Sequence, residues 1–395
     1  MIAPAWRAVL LLAGAAALNY ADRTSLSAVF PLLQAELHLS DLQLAGIGTL
    51  FLWSYAAGSA GAGFLADRLP RHRVVAWSLL AWSLVTIVTG LARTADQLLA
   101  TRVVLGLAEC LYLPAAVALI ADHHPAASRG RALALHLCGL NAGLVGGGAL
   151  AGYLGEEYGW RIGLFFLGGV GIVLSGVCLL ARPASPRSQA PAPPAPVGPQ
   201  LRGLLRRRGY LLLAMQGMLI SVSTWMFFNW MPLYFRESFG LSLALAGFSG
   251  TAVLQLSAVG GALVGGTLSD RAARRAADGR LRMMTVCYLL CAPCLLIFLS
   301  GGGMAVISVA VVLFSFLRAV ATANETPAMC EFVDPRDRST AQSLMNMLNT
   351  MAGGTGVFVA GYLKADWGLN GVFAGVAVLV FAAAGLAWLA RPAKA

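Results

Sequence analysis

Six ionisable residues stand inside long apolar runs: Asp22, Arg23, Arg102, Glu109, Arg318 and Glu325. A charge in such a place is costly unless it faces a polar cavity and has a partner. An arginine offers a planar fork of donors that grips a carboxylate through two hydrogen bonds. A carboxyl buried in low dielectric favours its neutral form, so it is a candidate proton carrier. Asp22 and Arg23 are adjacent. On a helix they diverge by about 100°, and each needs a partner elsewhere. Arg102 and Glu109 are seven apart, which puts them on one helix face about 10 Å apart, too far for a direct ion pair. The spacing predicts that Arg102 meets Asp22 or an anionic ligand, and that Glu109 is the proton-carrying group. A static charge network holding helices together is the competing reading. When Pro125 is aligned with Pro335, Arg318 falls level with position 108, beside Glu109. It is predicted to bind a carboxylate, with Glu109 or Glu325 as the rival partner. Asn141, Asn229, Asn346 and Asn349 are further polar candidates for binding hydroxyls, against the commoner use of a lone Asn as a link between helices.

These residues must be positioned by elements that cross a bilayer. Of 395 residues, 58% are hydrophobic and 11% charged, against about 45–50% and 25% in ordinary soluble domains. A crossing helix needs roughly 20 mostly apolar residues. Polar breaks divide the chain into twelve such runs near 6–32, 42–66, 74–93, 97–121, 130–154, 161–181, 209–235, 242–268, 282–300, 304–328, 339–363 and 368–390. The runs are too long and continuous for the strands of a membrane barrel. The first run follows Arg7 and resumes after Arg23, so it reads as a full span rather than a cleaved leader. With the N-terminus inside, 21 of the 28 Lys and Arg residues fall on the cytoplasmic side. That bias predicts both termini in the cytoplasm and explains the net charge of +11 without a nucleic-acid partner. The seven cysteines lie in or beside apolar runs and read as small buried hydrophobes. No metal-ligand cluster, phosphate loop or G-x-S-x-G is present, and His136 is the one histidine inside a span. An enzyme is therefore not expected, nor is a metal or cofactor.

The organisation is a duplication. Residues 182–208 hold seven prolines and the run Arg206-Arg207-Arg208, and separate a bundle at 1–181 from one at 209–395. Proline-rich text of this kind is extended, and the arginines are expected against anionic headgroups. Gly63-x3-Asp67-Arg68 recurs as Gly266-x3-Asp270-Arg271, Pro31 as Pro232, Arg131 as Arg338, and Ala151-Gly152-Tyr153-Leu154 as Ala360-Gly361-Tyr362-Leu363. Two similarly oriented six-span halves are a transporter architecture, with the substrate near the midplane between them. The glycines Gly143, Gly146, Gly147, Gly148 and Gly152 read as a face for close helix packing.

Gly63-Phe64-Leu65-Ala66-Asp67-Arg68-Leu69-Pro70-Arg71-His72-Arg73 resembles the loop signature of the major facilitator superfamily, with Pro70 where the family has glycine. Four stretches resemble its anion:cation symporter branch of sialin-like and sugar-acid carriers: Asn19-Tyr20-Ala21-Asp22-Arg23, Phe51-Leu52-Trp53-Ser54-Tyr55, Arg102 through Glu109 followed by Pro114, and Tyr158-Gly159-Trp160-Arg161. The first and third are shared with Spinster-like lipid carriers. The branch often carries a cation in the seventh span, where this chain has Trp225, Asn229 and Trp230. The resemblance implies an all-helical fold of twelve spans in two six-helix bundles. It implies a monomeric carrier in a bacterial-type inner membrane, among membrane lipids, moving a small organic anion with protons. It assigns proton coupling to Asp22 and Glu109 and anion contact to Tyr20 and Arg23. Substrate contact is expected of Tyr55, Arg102, Asn141, Asn229 and Arg318 as well. Gly63, Asp67, Arg68, Arg71, Arg73, Arg131, Asp270 and Arg271 are expected to form a conformational latch, with Asp67 paired to Arg131. Transport of a lysophospholipid or another amphipathic lipid is the alternative, and sodium coupling or exchange stays open.

Overall fold

The computed structural model describes residues 4–181, 197–276 and 278–391. Side chains are described for all of these except residues 4, 60, 63–68, 126, 127, 197–200 and 336. Every regular element among them is helical.

The first crossing is made by α1 (Pro4–Ala28) and α2 (Phe30–Leu37). It breaks at Val29 because Pro31 has no N–H for the Ser27 carbonyl, and its ring crowds that carbonyl. Next come α3 (Asp41–Arg68) and α4 (Arg71–Gly90). The fourth crossing is shared by α5 (Ala95–Glu109) and α6 (Tyr112–His123), which Pro114 separates in the same manner. Then follow α7 (Ala126–Tyr158), α8 (Trp160–Ala181), the short α9 (Val197–Leu205), α10 (Arg208–Phe239) and α11 (Leu243–Arg275). α12 (Gly279–Leu296) runs into a 3-10 turn at Ile297–Ser300. α13 (Met304–Thr322) and α14 (Glu325–Phe332) share the tenth crossing, broken just before Pro327. α15 (Arg338–Leu389) has 52 residues and one non-helical point, Gly368, at φ 61° and ψ 171°. Glycine takes that conformation without steric cost.

Nine helical stretches among the described residues are long and apolar enough to cross a membrane. One of them is α15, whose 52 residues extend about 80 Å at 1.5 Å each, enough for two crossings. With α1–α2 and α3 the total is twelve, as the polar breaks in the sequence predict. The surface agrees: Leu180 is 84% exposed and Leu263 71%. Apolar side chains so exposed along many helices suit lipid, not water.

The described residues form two compact units, one within Met1–Pro193 plus Phe228–Thr251, the other within Pro194–Phe227 plus Ala252–Ala395. In the first unit, α1 lies directly on α7. Ala13, Ala17 and Ala21 face Gly139, Gly143 and Gly147, and a Cβ at Gly143 would overlap the Ala17 carbonyl. Lipid tails give helices no hydrophobic reason to associate, so close backbone approach through small residues does the work. The stretch Phe228–Thr251, which the repeat assigns to the second half, packs with this first unit. Trp230 meets Phe30 edge-on at 5.8 Å, and the Leu243 N–H donates to Glu156 at 2.9 Å. The second unit has an aromatic core in which Phe227 stacks on Phe373 at 4.5 Å and packs against Phe298 and Phe314.

The linker differs from the extended segment expected. Val197–Leu205 is helical, and Leu204 is buried. Arg207 does not lie free for headgroups: its guanidinium donates to the Phe332 carbonyl at 2.8 Å and pairs with Asp334. It thereby satisfies a carbonyl at the open C-terminal end of α14. The proline-rich stretch 182–196 lies outside the described residues.

Candidate functional site

The buried charges of the first unit gather where α1, α3, α4 and α5 meet. Asp22 and Arg23 do diverge. Arg23 turns toward α5 and donates from Nε to Glu109 Oε2 at 3.0 Å, with the two side chains 7% and 0% exposed. Its guanidinium also lies 4.4 Å from the Tyr20 ring centre, 4.7 Å from Tyr55 and 5.0 Å from Phe51. A desolvated cation over aromatic faces gains about 2 kcal/mol or more. Three rings and one carboxylate thus hold this cation together.

Asp22 turns instead toward α4, where Thr86 donates to its Oδ2 at 3.2 Å. One helical turn along, Thr89 accepts from Arg102 Nη2 at 2.8 Å. The meeting of Arg102 with Asp22 predicted from the spacing is therefore not a direct ion pair; two α4 threonines stand at the two charges. Asp22 Oδ1, Arg102 Nε, Glu109 Oε1 and Asn19 Nδ2 are buried without a hydrogen-bond partner. Unsatisfied atoms of this kind mark strain, a missing ligand or a catalytic role. The predicted separation of Arg102 and Glu109 also takes a physical form. α5 ends at Glu109, and the break at Cys110–Leu111 places that carboxyl at the end of a half-helix.

The remaining predicted residues are dispersed. Asn141 on α7 donates to the Leu137 carbonyl of its own helix at 2.8 Å. Asn229 is half-buried on the part of α10 that packs with the first unit. Arg318 sits on α13 in the second unit, half-buried, with its Nε unpartnered. His136 is structural: its ring meets the Tyr112 hydroxyl at 3.1 Å.

Of the expected latch, Gly63, Asp67 and Arg68 have side chains outside those described, and so does the Asp67–Arg131 pairing. Arg73, Arg131 and Arg271 are exposed. Arg71 pairs with Asp122 at 2.5 Å, tying α4 to α6. In the second unit Arg280 pairs with Glu331 at 2.5 Å, with Asp270 at 3.9 Å from the same guanidinium. Both 2.5 Å pairs span 51 residues, so they are repeat-related ties across each third-fourth and ninth-tenth crossing. The spacing of Asp122, Arg280 and Glu331 gives no motif, and sequence reading passed over them. Thr86 and Thr89 were missed too, because threonines in apolar helices commonly bond their own helix, as Thr86 also does to the Trp82 carbonyl at 3.0 Å. Among the described residues no group of three or more His, Cys, Asp or Glu could hold a metal, and the seven cysteines are free.

The description of the Major Facilitator Superfamily matches residues 12–277 and 273–395. The chain belongs to this superfamily. It is an integral membrane transporter and not an enzyme. An MFS-type efflux pump of Mycolicibacterium smegmatis is 30% identical over 91% of this chain and 84% of its own length. A probable galactarate/D-glucarate transporter of Escherichia coli is 27% identical over 65% of this chain and 64% of its own length. A probable sulfoacetate transporter of Cupriavidus necator is 27% identical over 68% of this chain and 66% of its own length. Among solved structures, a bacterial homologue of the human lysosomal transporter Spinster, in an inward-facing occupied conformation, superposes with a TM-score of 0.85 at 21% identity. That alignment covers 99% of this chain and 97% of the other, and establishes the shared fold.

Proposed function

We propose that this transporter moves a small organic anion, a carboxylate or sugar acid, together with protons by alternating access. The observation that carries the reading is the Arg23–Glu109 pair inside its cage of Tyr20, Tyr55 and Phe51. An incoming carboxylate competes with Glu109 for the same guanidinium. Once displaced, Glu109 is a buried charge with no partner, and it escapes that cost by taking a proton. Anion entry and proton uptake are then one event. Asp22, with one oxygen unpartnered beside the α4 threonines, is the second carboxyl of the couple. Arg102 is its electrostatic neighbour and a secondary anion contact. Arg318 supplies a cation from the second unit. Relatives that carry galactarate, glucarate and sulfoacetate by their descriptions support the anion class. The halves that rock are those of the sequence repeat, 1–181 and 209–395, with 182–208 between them. The protein works as a monomer in a bacterial-type inner membrane, with both termini cytoplasmic and the Arg71–Asp122 and Arg280–Glu331 ties stiffening each half.

The test is transport by purified protein in liposomes loaded with a pH-sensitive dye. A panel of sugar acids, monocarboxylates and lysophospholipids is offered outside. Acidification driven by an acid, abolished in Glu109→Gln while acid counterflow survives, is the expected result. Transfer of lysolipid analogues with no proton movement for any acid would overturn it and favour the lipid-carrier alternative.

A further inference from the structure

The fourth and tenth crossings are broken in the same way, and each break carries a carboxyl. In α6 the third residue is Pro114; in α14 the third residue is Pro327. Each proline denies an N–H to the carbonyl four residues back and ends the preceding half-helix. Glu109 is the last residue before the first break, and Glu325 is the first residue after the second. Aligning the breaks, rather than Pro125 with Pro335, makes Glu325 the positional counterpart of the Glu109 region.

The surroundings of the two carboxyls differ. Glu109 has a cation at 3.0 Å. Glu325 has none within ion-pair distance among the described residues; its Oε1 receives a bond from Asn349 Nδ2 on α15 at 3.3 Å. The carboxyl is admitted by Gly217 on α10, where a Cβ would overlap Glu325 Oε1 and press on Asn349 Oδ1. Gln216, next to that glycine, donates from Nε2 to the Tyr288 hydroxyl of α12 at 3.0 Å. Tyr288 lies within electrostatic reach of both Glu325 and Arg318. Arg318, from α13, forms no ion pair among the described residues, and its Nε is orphaned, as are Asn349 Oδ1 and Gln216 Oε1. Among the described residues, Asn349 is the group bonded to Glu325, and Tyr288 is its further titratable neighbour. A lasting carboxylate needs a cation here, and none of the described residues supplies one within ion-pair distance. The residue is half-buried.

We infer that Glu325 is a second proton-carrying carboxyl, set in a slot between α10 and α15 and separate from the Arg23–Glu109 pair. It loads a proton in the second unit while Glu109 and Asp22 load theirs in the first. The inference rests on proton-coupled transport as proposed above, and deepens it from one carboxyl system to two.

The first experiment does not depend on transport. Dicyclohexylcarbodiimide reacts with the acid form of a carboxyl in apolar surroundings. The intact protein in lipid vesicles is labelled across a pH series and digested, and the peptide holding Glu325 is quantified by mass spectrometry. Labelling of Glu325 that falls about tenfold per pH unit on the alkaline side is expected, with the fall displaced in Gly217→Ala. A Glu325 that takes no label at any pH overturns the inference. The second experiment measures the proton-to-substrate ratio from the reversal potential. Glu325→Gln should still transport but with the ratio lowered by one. An unchanged ratio in a folded, active Glu325→Gln also overturns the inference and leaves the Glu109 couple standing. If the wild type moves no protons with any acid, the coupling reading fails by itself, and the labelling still decides whether Glu325 takes a proton.

Discussion

Arg23 is held by a carboxylate and by aromatic faces, and the two kinds of hold respond differently to substitution. Cation–π contacts contribute about 0.5–2 kcal/mol each, and an aromatic ring without its hydroxyl keeps most of that. Tyr55→Phe should therefore leave acid counterflow near wild type, whereas Tyr55→Leu should weaken it by roughly 2- to 30-fold in KM. Equal losses in the two variants would mean that the hydroxyl, not the ring face, matters. A different carboxylate, Glu36, stands in the last turn of α2, past the apolar run that ends near residue 32, and accepts from the Trp160 indole at 2.7 Å and from Arg161. Its burial pushes the carboxyl up, but the bonds from Arg161 and Trp160 outweigh that and hold it below its ordinary value. A depressed carboxyl adds stability above its unfolded titration and loses it as pH falls through the folded one. Wild type should thus melt above Glu36→Gln near neutral pH, and the two melting curves should converge in acid. What the sequence shows at this scale is which residues are charged in apolar runs. It does not show that Arg23, rather than Arg102, takes Glu109, because the choice depends on how α1 is turned against α5.

Proline alone does not tell where a crossing breaks: Pro31, Pro114 and Pro327 stand at breaks, while Pro232 and Pro293 lie inside continuous helices. The fourth and tenth apolar runs look continuous at 97–121 and 304–328, and Pro114 and Pro327 divide them. Conversely, Gly368 reads as a gap between two spans, while the backbone there bends at one residue and continues. The helix at Val197–Leu205 was hidden because the prolines before it dominate the composition of the linker. The glycines of α7 were legible as a packing face, but not which of them touches what. Gly143 abuts the Ala17 carbonyl, and Gly146 has nothing within 4 Å of where its Cβ would be. Overpacking a close contact costs typically about 1–3 kcal/mol, and here backbone would have to move. Gly143→Leu should lose most of the monodisperse protein on size-exclusion chromatography in detergent, and Gly146→Ala should match wild type. If both elute normally and melt alike, the α1–α7 approach is looser than the structure has it.

The distribution of charge over the whole molecule is the argument for the proposed orientation in the bilayer. Its positive residues cluster at alternate turns, with 21 of 28 on one set of loops. Translocating Lys- and Arg-rich short loops is disfavoured, and the proposed orientation therefore keeps that set in the cytoplasm. Arg71–Asp122 and Arg280–Glu331 join repeat-equivalent helix ends, one tie within each unit. Orientation is decided by labelling intact cells with a membrane-impermeant maleimide, using a background in which the seven native cysteines are replaced. Gly303, in the exposed turn before α13, falls on the opposite set of loops from Ser185 in the proline-rich linker. Gly303→Cys should label from outside, and Ser185→Cys only after the membrane is permeabilised. The reverse pattern would place the arginines outside. Both 2.5 Å ties would then face away from the cytoplasm, and proton entry toward Glu109 and Glu325 would have to be redrawn from the opposite side.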